Sequence, residues 1–199
     1  MTRLLIIFAR NPELGKTKTR LAKTLGDETA LAIYYKLINK VQEVTADLPI
    51  DKAVYYSSFI DKEDSWDNNK YQKYLQKGAT LGEKMYYAIE ESITNGYQQV
   101  VLIGTDIYTL SAEIIMKSFD LLNVNDTVLG PAEDGGYYLI GMKRPEPSIF
   151  GLKEWSHSEV FSQTVELIKN QGMSYGTTQA LSDIDEPNDL KGTDLEALI

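Results

Sequence analysis

The feature that most constrains the fold of this chain is the segment 100–106, which reads Val-Val-Leu-Ile-Gly-Thr-Asp. A short, unbroken apolar run that ends in turn residues is typical of a strand buried on both faces of a sheet. Open α/β sheets bind their ligands at the carboxyl ends of such strands. We therefore expect Asp106, which follows this strand, to lie at the mouth of the functional site.

The rest of the chain alternates strand-like apolar runs with amphipathic helical stretches. Strands are predicted at 3–9, 52–57, 71–76, 100–103, 126–130, 137–142 and 174–180, and helices at 27–48, 81–94, 112–122 and 156–171, with a closing helix that starts at 185–187. This alternation predicts an α/β fold, with a mixed, mostly parallel sheet and helices on both faces. A chain of 199 residues is the right size for one such domain, so residues 1–199 are expected to form a single domain, with the strand pair at 126–142 inserted on the sheet.

Composition excludes several classes of function. The net charge of −9 argues against a nucleic-acid partner, which would require a basic face. The chain has no cysteine, and its one histidine, His157, is predicted to be a surface helix residue, so thiolate sites, histidine metal clusters and Ser-His-Asp hydrolysis are excluded. No apolar run is long enough for a membrane span or a signal peptide, and a cytoplasmic protein is expected.

Basic residues nevertheless cluster after the first predicted strand, at Arg10, Lys16, Lys18, Arg20 and Lys23. Gly15-Lys16-Thr17 looks like the end of a P-loop, but Arg10 stands where that motif has its first glycine. A dinucleotide-binding fingerprint is also excluded, because the loop has a single glycine. A cationic loop that leads into a helix start favours the phosphates of a nucleotide. The alternative is a solvated basic helix end.

Carboxylates suggest a metal site. Asp106 could be a magnesium ligand, since magnesium takes one or two protein carboxylates and completes its shell with phosphates and water. Asp183 and Asp185 could each supply the second carboxylate, although both could instead be helix-capping residues. Asp134-Gly135-Gly136 is first of all a hairpin turn, and it would also present a carboxylate and bare backbone to a sugar or other polyol. Lys84 could face a phosphate or lie on the surface.

Together these segments resemble a bacterial family of GT-A-type transferases, the nucleotide-diphospho-sugar transferase-like family DUF2064. The matching pieces follow the expected order over nearly the whole chain: 8–12 (Phe-Ala-Arg-Asn-Pro), Gly15, 18–21 (Lys-Thr-Arg-Leu), 81–85 (Leu-Gly-Glu-Lys-Met), 104–106 (Gly-Thr-Asp), 130–137 (Gly-Pro-Ala-Glu-Asp-Gly-Gly-Tyr), Trp155 and 183–190 (Asp-Ile-Asp-Glu-Pro-Asn-Asp-Leu). The sequence departs from the family where residues 107–109 (Ile-Tyr-Thr) replace a common Cys-Pro-Asp and Lys84 replaces a common arginine.

The resemblance implies a three-layer, Rossmann-like GT-A fold that binds a nucleotide at the carboxyl edge of its sheet. It implies that Asp106 and Asp185 hold Mg²⁺ or Mn²⁺, and that Asp106, Lys18 and Arg20 are catalytic. Nucleotide and phosphate contacts are expected from Ala9, Arg10, Gly15, Lys18, Arg20 and Gly104, and substrate contacts from Asp134, Gly135 and Gly136.

Three functions stay open at this point. The first is transfer from a nucleotide sugar to a small-molecule acceptor. The second is nucleotidyl transfer from a nucleoside triphosphate to a phosphorylated small molecule, with release of pyrophosphate. The third is a non-catalytic nucleotide-binding module, which the unusual residues 107–109 motivate. A monomer and a homodimer are both open.

Overall fold

The structure is a computed structural model that describes residues 1–155 and 157–199. Its centre is a seven-stranded sheet in the order β3-β2-β1-β4-β6-β5-β7. The strands are β1 (Arg3–Ala9), β2 (Asp51–Tyr56), β3 (Gln72–Leu75), β4 (Gln99–Ile103), β5 (Thr127–Pro131), β6 (Tyr137–Met142) and β7 (Tyr175–Thr177). The predicted α/β fold with a mixed, mostly parallel sheet is confirmed.

The strand pair predicted as an insertion is part of the sheet itself. β6 lies between β4 and β5 and runs antiparallel to both. The other neighbouring strands, including β5 with β7, are parallel. The hairpin prediction for the turn between β5 and β6 was therefore right. The prediction that this strand pair is an insertion on the sheet was wrong, because β6 pairs with both β4 and β5 and so joins the two halves of the sheet.

Helices cover both faces of the sheet. They are α1 (Thr19–Leu25), α2 (Asp27–Thr45), α3 (Leu81–Thr94), α4 (Ala112–Val124) and α5 (Val160–Asn170). Because side chains alternate along a strand, Leu5 and Ile7 of β1 join the core beneath α2 and α4. Leu4 and Ile6 join the second core, beneath α3 and α5. The result is a three-layer arrangement.

The helix boundaries differ from prediction at three places. The helix predicted at 27–48 begins at Asp27 as expected but ends at Thr45, and Gly26, with a φ of 83°, separates it from the short α1 in a conformation that favours glycine. The single closing helix predicted from 185–187 is instead two 3₁₀ helices, Pro187–Leu190 and Asp194–Leu198. The predicted start of the 156–171 helix falls on Ser156, which lies outside the described residues; α5 begins at Val160, so His157 precedes the helix.

The order of the strands fixes where a ligand can enter. The chain proceeds from β1 outward to β2 and β3 and then returns to place β4 on the other side of β1. The loops after β1 and β4 therefore leave in opposite directions and open a crevice between them. Such a reversal is where open α/β sheets bind ligands.

Candidate functional site

A cavity of about 820 Å³ occupies this crevice. Its lining comes from both sides of the sheet: the loop after β1 and the first turn of α1, the loop after β4, the start of α3, the turn between β5 and β6, and the 183–185 segment. We call the side formed by the 10–20 loop, Asp106 and Asp185 the ionic wall. We call the side formed by α3, Tyr137 and Trp155 the aromatic wall.

The loop that begins the ionic wall is fixed by hydrogen bonds at its base. The buried hydroxyl of Tyr34 accepts from the backbone N–H of Arg10 at 2.8 Å and donates to its carbonyl at 2.9 Å. The side chain of Asn11, also buried, accepts from the N–H of Ser58 at 3.0 Å and donates to the carbonyl of Phe59 at 2.9 Å. The loop is thus held to α2 and to the segment after β2.

Lys18 lies at the centre of the ionic wall. Its side chain is 5% exposed, and its ammonium contacts the carboxylate of Asp106 and lies 2.9 Å from Oδ1 of Asp185. Arg20 reaches the other oxygen of Asp185 at 3.4 Å. Lys18 is the one non-glycine residue with positive φ in the described chain, at 47°. Residues far apart in the sequence thus meet at this point: Lys18 and Asp185 are 167 residues apart, and Arg20 and Asp185 are 165 residues apart.

The charges of this wall depend on one another. Burial lowers the pKa of Lys18, but the neighbouring Asp106 and Asp185 outweigh it, so the pKa is raised from 10.5. The pKa of Asp183 is raised to about 6, first by burial and then by repulsion from Asp134 and Asp185. Lys18 therefore stays cationic at neutral pH, while the Asp183 carboxyl exchanges its proton near pH 6.

Asp106 and Asp185 are the residues that could hold a metal ion. In the part of the chain that the structure describes, no group of three or more acidic or histidine side chains is arranged as a metal site. A divalent ion between these two carboxylates would therefore take its remaining oxygen ligands from phosphate and water, which is usual for magnesium. The donor set fits such an ion, because both carboxylates already face one cation, the Lys18 ammonium.

The aromatic wall is built around a helix start. Thr80 caps α3 in a capping box with Glu83. The indole of Trp155 rests on Gly82, where an added Cβ would lie 2.7 Å from Trp155 and 2.2 Å from the carbonyl of Phe150. The ring of Tyr137 meets Trp155 edge-on, with 6.3 Å between centroids.

The turn between β5 and β6 joins the two walls. The carboxylate of Asp134 lines the cavity, and its Oδ1 accepts a hydrogen bond from the N–H of Gly136 at 2.8 Å. Gly135, with a φ of 91°, faces the backbone of Ser158, whose carbonyl would lie 2.0 Å from an added Cβ. The turn therefore locks against the segment before α5.

The structure brings most of the predicted site residues to the cavity: Ala9, Arg10, Lys18, Arg20, Gly104, Asp106, Asp134, Gly136 and Asp185. Gly15 and Gly135 are not among the lining residues. Both have positive φ and shape turns, with Gly15 against the side chain of Asp27 and Gly135 against Ser158. Their role in the structure is conformational rather than contact with the cavity.

Sequence reasoning underrated three lining residues. Lys84, for which a phosphate contact and a surface position were both open, lines the cavity. Tyr34 and Tyr137 each begin a Tyr-Tyr pair of the kind typical of core and sheet packing, and both combine core packing with a place in the lining. The local sequence does not distinguish a core residue from a cavity-lining one. The difference depends on whether the helix or strand that carries the residue faces the crevice in the folded chain.

Comparisons with known proteins agree with this architecture. The sequence profile of a family described as an uncharacterized protein conserved in bacteria (DUF2064) matches residues 40–157. A search of curated proteins gives no match. The matched range contains Lys84, Asp106 and Trp155 but neither Lys18 nor Asp185.

Solved structures extend the likeness to the whole chain. A protein of Desulfovibrio desulfuricans G20, provisionally described as a nucleotide-diphospho-sugar transferase, is 28% identical, with a TM-score of 0.88 and coverage of 100% of this chain and 94% of that chain. The 4-diphosphocytidyl-2C-methyl-D-erythritol synthase of Anaerococcus prevotii DSM 20548 is 11% identical, with a TM-score of 0.60 and coverage of 100% and 99%. Rv0371c of Mycobacterium tuberculosis H37Rv, in complex with manganese, is 10% identical, with a TM-score of 0.51 and coverage of 96% and 97%. The fold is thus that of GT-A-like transferases and nucleotidyltransferases.

Within the described residues, no helix combines the length and the apolar character needed to cross a bilayer.

Proposed function

The chain belongs to the bacterial family DUF2064, and from its cavity we propose that it is a divalent-metal-dependent transferase whose donor is a nucleotide sugar. The observation that carries this proposal is the convergence of Asp106 and Asp185 on Lys18 at the strand-order reversal. The description of the 28% identical Desulfovibrio protein supports the donor class. The manganese complex of the Mycobacterium protein supports a divalent ion.

The chemistry expected of the ionic wall is positioning and charge neutralisation. A divalent ion, when bound by Asp106 and Asp185, would supply Lewis-acid stabilisation to phosphate oxygens. Lys18 and Arg20 would offset the negative charge that develops on the departing nucleoside diphosphate. The hydrogen bonds of Tyr34 to Arg10 hold the loop in place before substrate arrives, so little rearrangement is needed during the reaction.

Nucleotidyl transfer from a triphosphate is the second candidate. Four cations of one loop line the cavity, namely Arg10, Lys16, Lys18 and Arg20. That number suits the charge of a triphosphate at least as well as that of a diphosphate. The Anaerococcus synthase, which shares the fold, supports this alternative by its name.

The two transfers give different small products, which makes a direct experiment available. The protein is incubated with Mg²⁺ or Mn²⁺ and panels of nucleotide sugars and nucleoside triphosphates, with sugar phosphates and free sugars as acceptors. Release of a nucleoside diphosphate supports the proposal, and release of pyrophosphate supports the second candidate. Nucleotide binding without turnover of any panel member would favour a non-catalytic binding module.

Asp106→Asn tests the residue assignment. We expect it to lower either activity by about 10²–10³-fold, since it removes one of the two carboxylates proposed to hold the divalent ion on the phosphates. Asp120→Asn is a matched control, because Asp120 is exposed on α4 and pairs with Arg3. Full activity of Asp106→Asn would contradict the proposed metal site.

A further inference from the structure

Lys84 differs from Lys18, the buried lysine of the cavity, in having no acidic partner among the residues that the structure describes. It is half-buried and lines the cavity from the first turns of α3. Within residues 1–155 and 157–199, its ammonium forms neither an ion pair nor a side-chain hydrogen bond. A lysine that lines a cavity without a protein counter-charge can pair with an anionic group of a ligand.

The side of the cavity that carries Lys84 also carries large apolar and aromatic side chains. Leu81 and Met85 are its neighbours on α3, and Tyr137 and Trp155 stand on the same side of the sheet. The hydroxyl of Tyr137 lies 4.0 Å from the sulfur of Met85, so the Tyr137 side chain extends from β6 to α3. This wall is built of large side chains in mutual contact and not of flexible surface groups.

Lys84 is also separate from the cations of the ionic wall. Arg10, Lys16, Lys18 and Arg20 come from one loop and the first turn of α1, beside the face of the sheet covered by α2. Lys84 comes from α3, which covers the opposite face. The two sets of charge therefore approach the cavity from different sides, as would be needed for two anionic groups rather than one.

From this arrangement we propose that the aromatic wall binds a phosphorylated sugar or polyol as the second substrate. Lys84 contacts its phosphate, and the rings of Tyr137 and Trp155 pack against its carbon skeleton. The carboxylate of Asp134, across the cavity lining, accepts hydrogen bonds from its hydroxyls. The term second substrate rests on the proposed transferase function, but the binding itself does not.

The chain carries its own reporter for this binding. It has two tryptophans. Trp66 is 2% exposed and packs against Tyr71 in the other core, so a ligand in the cavity would change mainly the emission of Trp155. Titration with glucose 1-phosphate, glucose 6-phosphate and glycerol 3-phosphate, each beside its unphosphorylated parent, measures the contribution of the phosphate.

We expect at least one phosphorylated probe to change the fluorescence with an affinity at least tenfold above that of its neutral parent. Lys84→Gln should weaken that binding by about tenfold, because a charge-assisted hydrogen bond is lost. Lys84→Arg should restore it. Lys77→Gln, at an exposed lysine paired with Glu91, should leave it unchanged. The fluorescence signal should vanish in Trp155→Phe, which identifies Trp155 as its source.

Three results would overturn the inference: no binding of any phosphorylated probe, equal binding of glucuronate, or unchanged binding in Lys84→Gln. Titration with UDP, CDP, ADP and GDP separates this from the proposed function. If Lys84→Gln weakens a nucleoside diphosphate instead, Lys84 serves the nucleotide and the inference fails while the transferase proposal stands. If no nucleotide binds but a sugar phosphate does so through Lys84, the transferase proposal fails and the inference stands.

Discussion

The two walls of the cavity each present a lysine, but in different settings. On the ionic wall, Lys18 is 5% exposed and is neutralised by Asp106 and Asp185 within the protein. On the aromatic wall, Lys84 is half-buried, lines the cavity and has no acidic partner in the described chain. Both lysines line the same crevice between β1 and β4, but within the described residues only the deeply buried one is paired with carboxylates.

This contrast shows which wall is assembled before a ligand arrives. Charges that already have partners fix one another's positions, and an incoming anion meets a prearranged set of groups. A lysine without an acidic partner is not fixed by an opposite charge, and its ammonium is available to a ligand. Substitutions on each wall should therefore have different consequences.

The largest expected effect is the loss of transfer activity in Lys18→Met. The methionine keeps the length of the side chain but removes the cation that faces the phosphates, and we expect a decrease of about 10²–10³-fold in kcat/KM. Lys23→Met, at an exposed position of α1, is the matched control and should retain activity. Wild-type kcat/KM in Lys18→Met would remove the main distinction between the walls.

A second experiment disturbs the aromatic wall through its backbone support. Gly82→Ala places a methyl group 2.2 Å from the carbonyl of Phe150 and 2.7 Å from Trp155. We expect the free energy of unfolding to fall by about 3 kcal/mol from overpacking, even though alanine is the better helix former. Urea denaturation measures the change, and the emission of Trp155 should shift in the folded state.

Gly151→Ala is the control for this variant, because its nearest neighbour is 3.3 Å away and its φ of −82° suits alanine. The Lys18–Asp185 pair lies on the other wall, so nucleotide affinity should change little in Gly82→Ala. Equal stability of Gly82→Ala and Gly151→Ala would mean that Trp155 does not rest on Gly82 as described.

The smallest expected effect concerns the pH dependence of stability. Burial and the neighbouring carboxylates raise the pKa of Asp183 from 3.8 to about 6 in the folded chain. Between these values the folded state binds more protons than the unfolded state, so the free energy of unfolding falls as pH rises from about 4 to about 6. Asp183→Asn removes this dependence and should be more stable than wild type by about 2 kcal/mol at pH 7, with the difference vanishing near pH 3.

Urea denaturation of both proteins from pH 3 to pH 8 tests this sign. Glu63→Gln, at an exposed carboxylate, controls for the loss of one negative charge. A difference between Asp183→Asn and wild type that is the same at pH 3 and pH 7 would show that the Asp134, Asp183 and Asp185 carboxylates do not repel one another as their positions imply.

Much of the framework was predictable from sequence because its signals are local. Apolar runs gave the bounds of β1 and β6, and the helical spacing of apolar residues gave those of α3. The end of α2 was less accessible, since Pro49 marks where a helix cannot continue but not the residue, Thr45, at which this helix ends. The C-terminal segment was misjudged because proline and acidic residues start 3₁₀ and α-helices alike.

The candidate site divides in the same way. The proximity of Asp106 and Lys18 follows from two parallel strands ending at one edge, so strand order alone nearly predicts it. The arrival of Asp185 depends on a long return segment, whose placement is fixed by tertiary contacts such as the N–H of Ile184 donating to the carbonyl of Asp106 at 3.0 Å. Lys84 has no acidic partner in the described chain, and no pattern of residues near position 84 could have predicted this, because a missing contact depends on the tertiary structure.

The left-handed backbone of Lys18 has a consequence for how this protein would respond to selection. A φ of 47° is a conformation that glycine adopts freely and that other L-residues adopt at a cost of about 1 kcal/mol. A glycine at this position would relax the chain while deleting the ammonium from between two carboxylates. Removing one member of a largely buried ion pair costs about 3–5 kcal/mol, more than the relaxed backbone gains, so selection for thermal tolerance and selection for turnover should both keep lysine at this position.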